Sequence, residues 1–309
     1  MKNKRVLVVL GGTSGEREVS LDTGKACIRA LKKKGYYVTT FDPKKKPLNL
    51  INKSKSDVIF NALHGKGGED GVAQSYFEYL RIPYTHSGVI SSYNAMNKIS
   101  SKEIFKKNKI KSPKYFALHK SIFLKRELQI NIKRQKIRFP IVVKPTNEGS
   151  SIGVRICKNF DDLLKSTKTL FKSFEKLIFE PFIGGQEIQV AILNDIPLGA
   201  IELEPKRKFY DYKAKYSKKA NTKHIMPPNL NKSQYKEVLQ IAKKAHKALN
   251  CKGVTRSDFK FYKNNFYLLE TNTQPGMTSL SLVPEIANYK GISFENLIEK
   301  ILLNASLNR

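Results

Sequence analysis

The sequence predicts an α/β fold that changes to an α+β arrangement in the C-terminal half. Over roughly the first 95 residues, apolar strands alternate with helices, which is the rhythm of an open parallel sheet. Near the C-terminus, two apolar runs instead follow each other directly and predict an antiparallel hairpin. With 40% hydrophobic and 10% aromatic residues among 309, the chain has the composition of a folded protein with a substantial core.

The N-terminal part is predicted to contain strands at 6–10, 37–41 and 57–62 and helices ending near 34 and spanning 72–80. Glycine-rich turns follow the first strand, at 11–15, and the third strand, at 64–71. Such turns let a ligand approach the backbone, although the spacing is not that of a dinucleotide motif. We interpret His64 as a site residue because of its glycine-rich context. A lysine-rich helix over 92–107 is predicted to follow.

A second unit begins after the break at Ser112-Pro113, with predicted strands at 139–144 and 177–180 and a helix over 161–174. Lys144 ends an apolar strand and precedes a Gly/Ser loop, so it is placed to meet a phosphate. The alternative is a surface lysine before a turn. Glu180 and Glu187 flank a Gly-Gly turn, where carboxylates suit ribose hydroxyls and an adenine amine, unless they are ordinary edge-strand charges.

The C-terminal region is predicted to contain strands at 187–193 and 198–202, an irregular stretch at 205–228 and helices over 232–249 and 294–303. The irregular stretch is aromatic and basic around 209–216, and a loop of this length without secondary structure usually has a function. It predicts a lid that closes over a charged substrate, and an RNA-contacting loop is the alternative.

The hairpin carries four polar residues that are predicted to lie on one face. With the turn centred at Asn264, Asp258 lies opposite Glu270 and Arg256 lies opposite Asn272. Two carboxylates and an amide oxygen suit Mg²⁺, and the arginine suits a developing negative charge. The alternative is a polar sheet face with a cross-strand ion pair. The opposite face is predicted to contain Phe259, Phe261 and Leu269.

The segment after the hairpin is rich in turn-forming residues and hydroxyls. The backbone N–H of Gly276 is placed to form an oxyanion site, and Ser281 is placed to bind a carboxylate. Alternatively, this is a loop in which Ser281 caps the following helix.

The net charge of +31, from 57 Lys+Arg and 26 Asp+Glu, raises the question of nucleic-acid binding. The lysines are spread along the whole chain and no stacking aromatics interleave with them, so no specific nucleic-acid partner is expected. No apolar run approaches the roughly 20 residues of a membrane span, and no signal peptide precedes the first strand. Three cysteines without a metal-binding spacing match reduced thiols. We therefore expect a cytoplasmic protein.

Several motifs in order resemble the D-alanine–D-alanine ligase family. They are Gly11-Gly12-Thr13-Ser14-Gly15-Glu16-Arg17-Glu18-Val19-Ser20, Ala62-Leu63-His64-Gly65-Lys66-Gly67-Gly68-Glu69-Asp70-Gly71, Pro83-Tyr84-Thr85-His86-Ser87-Gly88, Lys144-Pro145 through Gly153, Phe209-Tyr210-Asp211-Tyr212 with Ala214-Lys215-Tyr216, and Leu269-Glu270-Thr271-Asn272 with Pro275-Gly276-Met277-Thr278-Ser279. The resemblance spans essentially the whole chain. It implies an ATP-grasp fold of three domains, at 1–97, 98–186 and 187–309, with the lid at 205–228.

The resemblance also implies the chemistry. ATP phosphorylates the carboxylate of one D-alanine, the amine of a second D-alanine attacks the acyl phosphate, and two Mg²⁺ or Mn²⁺ ions neutralise the phosphates. The implied metal ligands are Asp258, Glu270 and Asn272. The implied nucleotide ligands are Lys98, Lys144, Glu180 and Glu187. Glu16, held by Ser150 and Tyr216, is implied to bind the ammonium of the first D-alanine, and Arg256 and the Gly276 N–H are implied to stabilise the oxyanion. Lys215 and Ser281 are implied to bind the carboxylate of the second D-alanine, with Leu282 beside it. We expect His64 to belong to the same substrate site.

Two positions depart from the family pattern. Gln274 replaces an apolar or small residue, and Ser257 stands where an apolar residue is common. Both are expected to face away from the functional residues and to alter packing without loss of activity. A D-alanine–D-lactate ligase, another ATP-grasp ligase and an inactive nucleic-acid-binding protein remain alternatives. The family resemblance also implies a homodimer.

Overall fold

The computed structural model of the chain describes residues 4–52, 55–205, 222–278 and 280–308. Its N-terminal part contains a parallel sheet of β1 (Arg5–Val9), β2 (Tyr37–Phe41) and β3 (Val58–Asn61), in the order β2-β1-β3. The predicted parallel sheet is therefore confirmed. Helix α1 (Arg17–Lys33) follows β1, and α2 (Val72–Tyr79) follows β3. Both glycine-rich turns thus lie at the carboxyl edge of this sheet, where ligands usually bind in such folds.

The single helix predicted over 92–107 is wrong, because two helices occupy this stretch. They are α3 (Val89–Met96) and α4 (Lys98–Lys107). Between them, Asn97 has an extended backbone, and its side-chain oxygen accepts the N–H groups of Ile99 and Ser100. An asparagine in this position is a strong N-cap, so it ends one helix and begins the next. The break places Lys98 at the first position of α4.

The central unit is an antiparallel sheet with helices α5 (Lys125–Arg134) and α6 (Phe160–Leu170). Its strands are β4 (Phe116–His119), β5 (Ile141–Pro145), β6 (Arg155–Cys157) and β7 (Lys176–Pro181), in the order β4-β7-β5-β6. In the register of β5 and β7, Glu180 lies opposite Val142, two residues before Lys144. Lys144 and Glu180 therefore share one face of the sheet.

The C-terminal unit is built on a second antiparallel sheet, which confirms the change to an α+β arrangement. Its strands are β8 (Gln186–Leu193), β9 (Ile196–Glu204), β10 (Lys223–Ile225), β11 (Val254–Tyr262) and β12 (Asn265–Asn272), in the order β10-β9-β8-β11-β12. Its helices are α7 (Lys232–Ala248), α8 (Leu282–Tyr289) and α9 (Phe294–Leu303). The predicted span of α9 is confirmed.

The hairpin of β11 and β12 has the predicted functional pairs but a different turn. Two residues with positive φ, Lys263 and Asn264, form the turn, as a type I′ hairpin requires, so the predicted centre is wrong. A bulge between Asp258 and Phe259 then adds one residue to β12 and restores the pairing of Asp258 with Glu270.

The bulge also corrects one of the predicted faces. Phe259 pairs with Leu268, and both are fully buried in the core of the C-terminal unit, where Phe261 also packs. Leu269 was predicted to share that face. It instead lines the cleft on the other side of the hairpin, beside Glu270.

Four hydrophobic clusters stabilise the described part of the chain, and three of them each contain one buried cysteine. The first cluster joins the N-terminal sheet to α8 and α9 and contains Cys27. The second lies between α7 and the C-terminal sheet and contains Cys251, and the third lies in the central unit and contains Cys157. Among the described helices, none is both long and apolar enough to cross a lipid bilayer. The boundaries at 97/98 and 186/187 remain predictions.

Candidate active site

Two clefts adjoin each other where the three units meet. The inter-sheet cleft lies between the central and C-terminal sheets and is lined by residues that include Lys98, Lys144, Glu148, Glu180, Glu187, Asp258 and Glu270. The N-terminal cleft is lined by residues that include Glu16, His64, Glu69, Lys98, Glu148, Ser150, Arg256, Glu270, Asn272 and Gly276. Lys98, Glu148 and Glu270 belong to both clefts. The structure therefore brings together most of the predicted site residues that it describes.

A buried group of ions forms the wall of the inter-sheet cleft. The Nζ atoms of Lys144 and Lys102 each lie 3.0 Å from a carboxylate oxygen of Glu180, which is 2% exposed. Burial alone raises the pKa of Glu180, but the charges of Lys102 and Lys144 outweigh this effect and hold its pKa below the ordinary value. Glu180 therefore stays ionised and holds Lys144 in the cleft.

Lys102 is a site residue that the sequence analysis missed. Its side chain is 1% exposed, and its Nζ also donates to the carbonyl of Pro113 at 3.2 Å. Its one sequence signal is the spacing of four residues from Lys98 on α4, which places both lysines on one helix face.

Lys98 lies at the junction of the two clefts. Its Nζ donates to the carbonyl of Glu148 at 2.6 Å and lies 3.6 Å from a carboxylate oxygen of Glu270. Burial lowers the pKa of Lys98, and the charge of Glu270 opposes this effect. Lys98 and Lys144 both line the inter-sheet cleft, so their ammonium groups are placed to contact a polyanion.

Glu187 lies further along the same cleft. It faces Lys260 across the pairing of β8 with β11, and Lys260 Nζ lies 3.0 Å from its carboxylate. The carboxylate of Glu187 therefore lines the cleft with its negative charge balanced by Lys260.

The predicted metal-binding residues share one face of the hairpin. The guanidinium of Arg256 donates to both oxygens of Asp258, at 2.7 and 2.9 Å, and the amide oxygen of Asn272 accepts the N–H of Gln274 at 2.8 Å. No group of three His, Cys, Asp or Glu side chains converges in the described ranges. Two carboxylates and an amide oxygen nevertheless form a hard-oxygen donor set of the kind that Mg²⁺ prefers, and the cations now beside Asp258 and Glu270 show that both acids are placed to take positive charge.

Glu16 lies in the N-terminal cleft against two glycine-containing loops. It is buried, and the hydroxyl of Ser150 donates a hydrogen bond to its carboxylate. A Cβ atom at Gly65 or Gly149 would lie 2.7 or 2.9 Å from Glu16 Oε2, so a larger residue at either position would displace this carboxylate. Ser150 has a φ of +48°, a conformation that L residues rarely adopt. Tyr216, the third member of the predicted triad, and Lys215 lie outside the described residues, as does most of the lid.

Glu69 is a second carboxylate of this cleft, and the sequence analysis did not single it out. Its Oε1 accepts the N–H of Gly65 at 3.0 Å, whereas Oε2 is buried without a hydrogen-bond partner in the part of the chain that the structure describes. Burial and then the charge of Glu16 raise the pKa of Glu69 well above its ordinary value. Only its position in the glycine-rich 64–71 turn pointed to it.

The remaining predicted residues lie on or beside the loop that follows β12. Gly276 and His64 both line the N-terminal cleft. Ser281 and Leu282 line neither cleft: the hydroxyl of Ser281 bonds Thr278, and Leu282 is buried in the first hydrophobic cluster. Ser281 occupies the N-cap position of α8, as the alternative expected, although its side chain makes no capping hydrogen bond.

Ser257 and Gln274 were expected to face away from the functional residues. Ser257 is fully buried, and its hydroxyl bonds that of Thr271 across the hairpin at 2.9 Å, as a packing role requires. Gln274 faces the N-terminal unit, where its amide makes several bonds.

Comparisons with known proteins agree with this architecture. A family model described as the D-ala D-ala ligase C-terminus matches residues 104–303. The D-alanine–D-alanine ligase of Pelagibacter ubique is 55% identical over 307 residues, covering 99% of both chains, and that of Geotalea uraniireducens is 42% identical, covering 99% of this chain and 97% of the relative. The crystal structure of the D-alanine–D-alanine ligase from Bacillus anthracis has a TM-score of 0.86 with 35% identity and covers 97% of each chain. The structure of that enzyme complexed with ATP has a TM-score of 0.82 with 30% identity and the same coverage.

The fold and the two clefts define an ATP-grasp enzyme. Within that class, the chain belongs to the D-alanine–D-alanine ligase family.

Proposed function

We propose that the protein joins two D-alanines into D-alanyl-D-alanine for peptidoglycan precursor synthesis, with an acyl phosphate as intermediate and ATP as the phosphate donor. The observation that carries this proposal is the meeting of the two clefts at Lys98, Glu148 and Glu270. One cleft presents lysines to a polyanion, and the other presents carboxylates to an ammonium group. A phosphate donor and an amino acid held in these clefts would be adjacent, as phosphoryl transfer requires.

The inter-sheet cleft would hold ATP. Lys144 and Lys98 face the phosphates, and Glu187 faces the ribose. Glu180 contributes through Lys144, because its carboxylate is already engaged by two lysines at 3.0 Å. Asp258, Glu270 and Asn272 would hold two Mg²⁺ or Mn²⁺ ions. When bound, these ions supply the positive charge that neutralises the phosphates during transfer.

The N-terminal cleft would hold the first D-alanine. Glu16 binds the ammonium group and is fixed in place by Ser150. Tyr216 is the third member of this triad. The guanidinium of Arg256 and the N–H of Gly276 stabilise the oxyanion that forms when the second amine attacks. Lys215 and Ser281 bind the carboxylate of the second D-alanine, with Leu282 beside it.

The test is phosphate release by the purified protein with ATP, Mg²⁺ and D-alanine, together with mass-spectrometric identification of the dipeptide. We expect turnover with D-alanine and none with L-alanine. Equal turnover with D-lactate or D-serine as the second substrate would overturn the assignment of a dipeptide of two D-alanines, and no phosphate release would overturn the reaction itself.

We also propose a homodimer in the cytoplasm without a nucleic-acid partner. Because the reaction consumes ATP, the cytoplasm is the compartment that supplies it. Light scattering should give twice the chain mass of 35.2 kDa, and a monomer at working concentration would contradict the dimer. Binding to duplex DNA should vanish at physiological salt, since only dispersed lysines contact it.

A further inference from the structure

The side-chain amide of Gln274 connects the loop after β12 to the N-terminal unit. Its oxygen accepts a hydrogen bond from Asn61 Nδ2 at 2.9 Å, and its nitrogen donates to the backbone carbonyl of Leu63. Gln274 and Asn61 are 2% and 0% exposed, so these bonds are shielded from water. A shielded bond of this kind holds its partners more firmly than a bond at the surface.

A second connection crosses to the same loop on the other side of Gly276. The N–H of Met277 donates to the hydroxyl oxygen of Thr23 at 3.3 Å, and that hydroxyl lies 3.0 Å from Nε2 of His64. The His64 ring also bonds the backbone of Gln274, and burial lowers its pKa to about 4, so the ring is neutral near pH 7. The residues on both sides of Gly276 are therefore bonded to the N-terminal unit.

Asn61 is itself held rigidly. Its side chain donates to the carbonyl of Gly68 at 3.0 Å and accepts the N–H of Leu63 at 3.2 Å, and its backbone N–H donates to Thr85. Asn61, which anchors Gln274, is thus bonded to the 64–71 turn that carries His64 and Glu69. An apolar residue at position 274 would fill similar space but would remove a partner from the buried Leu63 carbonyl.

We propose that Gln274 is a positioning residue: its amide fixes the 273–277 loop against the N-terminal unit, so that the N–H of Gly276 points at the oxyanion of peptide-bond formation. This inference rests on the proposed function. The loop lies at the N-terminal cleft and not beside the nucleotide, so Gln274 acts on the attack by the second amine and leaves ATP binding unchanged. The expectation that residue 274 affects packing alone is replaced by this role.

The test compares Gln274→Leu with Gln74→Leu. Gln74 is a fully buried glutamine on α2 that donates to the Gly68 carbonyl at 3.0 Å, the same carbonyl that Asn61 uses, but it makes no bond to the 273–277 loop. Both changes remove one buried amide of equal size from the same region. We expect kcat for dipeptide formation to fall at least roughly tenfold in Gln274→Leu, because displacement of a catalytic group by about 1 Å can cost up to about 100-fold.

The readouts separate positioning from stability. Positional isotope exchange in ATP with D-alanine reports acyl-phosphate formation, and together with the KM for ATP it should stay within about twofold of wild type in Gln274→Leu. Gln74→Leu should lower the thermal midpoint and leave kcat within about twofold. If Gln274→Leu does not fold, Gln274→Asn serves the same comparison, since its amide is one methylene too short to reach Asn61 and Leu63.

Three outcomes overturn the inference. They are an unchanged kcat in a folded Gln274 variant, an equal loss of kcat in Gln74→Leu, and an equal loss of isotope exchange and dipeptide formation. Each of these leaves the proposed function intact, because the wild-type protein would still make the dipeptide. Absence of dipeptide from the wild-type protein would instead remove the proposed function.

Discussion

Glu180 and Glu69 are both buried glutamates beside the clefts, yet the pKa of Glu180 is lowered and that of Glu69 is raised. Glu180 has Lys102 and Lys144 at 3.0 Å, whereas Glu69 has one backbone N–H and the neighbouring carboxylate of Glu16. Burial disfavours the charged form of both carboxyl groups, and the charges of their neighbours decide whether the pKa falls or rises. The surroundings of Glu180 therefore favour its ionised form, whereas the surroundings of Glu69 favour its protonated form.

This difference matches the charges of the two proposed ligands. A polyphosphate needs fixed cations, and the lysines of the inter-sheet cleft are held in place by a carboxylate. An amino acid brings both an ammonium and a carboxylate. The raised pKa of Glu69 reduces the negative charge beside Glu16, so this part of the cleft repels the carboxylate less, while Glu16 is proposed to bind the ammonium group.

The largest expected effect tests the residue that the two clefts share. Glu270→Gln should reduce phosphate release about 1,000-fold or more, because it removes a charged metal ligand at the junction. Phosphate release with ATP, Mg²⁺ and D-alanine measures this, and circular dichroism checks the fold. Glu204→Gln is the matched control, since Glu204 is an exposed residue on β9 of the same sheet and should behave as wild type. Near-normal activity in Glu270→Gln would remove the metal role.

A smaller effect is expected for the N-terminal cleft alone. Ser150→Ala removes the hydroxyl that donates to Glu16, and a hydrogen bond to a charged group contributes about 1.5–3 kcal/mol. We therefore expect kcat/KM for D-alanine to fall about 10- to 100-fold while the KM for ATP holds. Ser151→Ala is the control, because Ser151 has the same left-handed backbone, with φ of +60° against +48°. Equal losses in the two variants would point to the backbone and not to the hydroxyl.

The inter-sheet cleft is tested by Lys102→Met. Without Lys102, the buried negative charge of Glu180 is balanced by Lys144 alone, and Glu180 holds Lys144 less firmly in the cleft. The KM for ATP should therefore rise about tenfold. The free energy of unfolding in urea should fall by about 3 kcal/mol, since the change breaks a buried ion pair. Lys106→Met, one turn further along α4 at an exposed position, should change neither quantity. An unchanged KM for ATP in Lys102→Met would mean that Lys102 stabilises the fold only.

The smallest effect concerns the pH dependence of stability, which should have opposite signs for the two glutamates. The raised native pKa of Glu69 gives stability that is present below its ordinary pKa of 4.5 and is lost as pH rises through the native pKa. The lowered native pKa of Glu180 gives stability that is present above 4.5 and is lost as pH falls through the native pKa. Relative to wild type, the unfolding free energy of Glu69→Gln should gain about 1 kcal/mol as pH rises from about 4.5 to about 8. That of Glu180→Gln should lose a similar amount as pH rises from about 2 to about 4.5. Urea unfolding across both ranges measures these changes, and parallel curves would contradict the contrast between the two sites.

The sequence predicted what depends on local pattern and on motif order. The parallel sheet, the antiparallel hairpin and the pairing of Asp258 with Glu270 are all confirmed. The pairing held because a two-residue turn and a one-residue bulge offset each other, although neither is visible in the hydrophobic pattern. The same bulge moved Leu269 to the other face. The helix over 92–107 was split because the capping preference of Asn97 outweighed a continuous helical pattern.

The missed residues are those whose role depends on burial and on partners distant in sequence. Lys102 has the same appearance in the sequence as the many surface lysines of a chain with 57 Lys+Arg, and only its contact with Glu180 on another strand distinguishes it. Glu69 is defined by Glu16, which belongs to another loop. The bonds from Gln274 to Asn61 and Leu63 span more than 200 residues of sequence. Such pairs follow from the fold and cannot be found by spacing.

The three buried cysteines have a practical consequence. Burial raises the pKa of the Cys27 and Cys157 thiols and raises that of Cys251 to about 12, so the native protein offers almost no thiolate to a reagent. A thiol reagent can therefore react only after the surrounding cluster opens. Because each cysteine belongs to a different cluster, peptide-resolved alkylation would report three separate opening free energies from the unmodified chain. Wild-type protein thus carries its own probe for which of these three clusters opens first, with and without nucleotide.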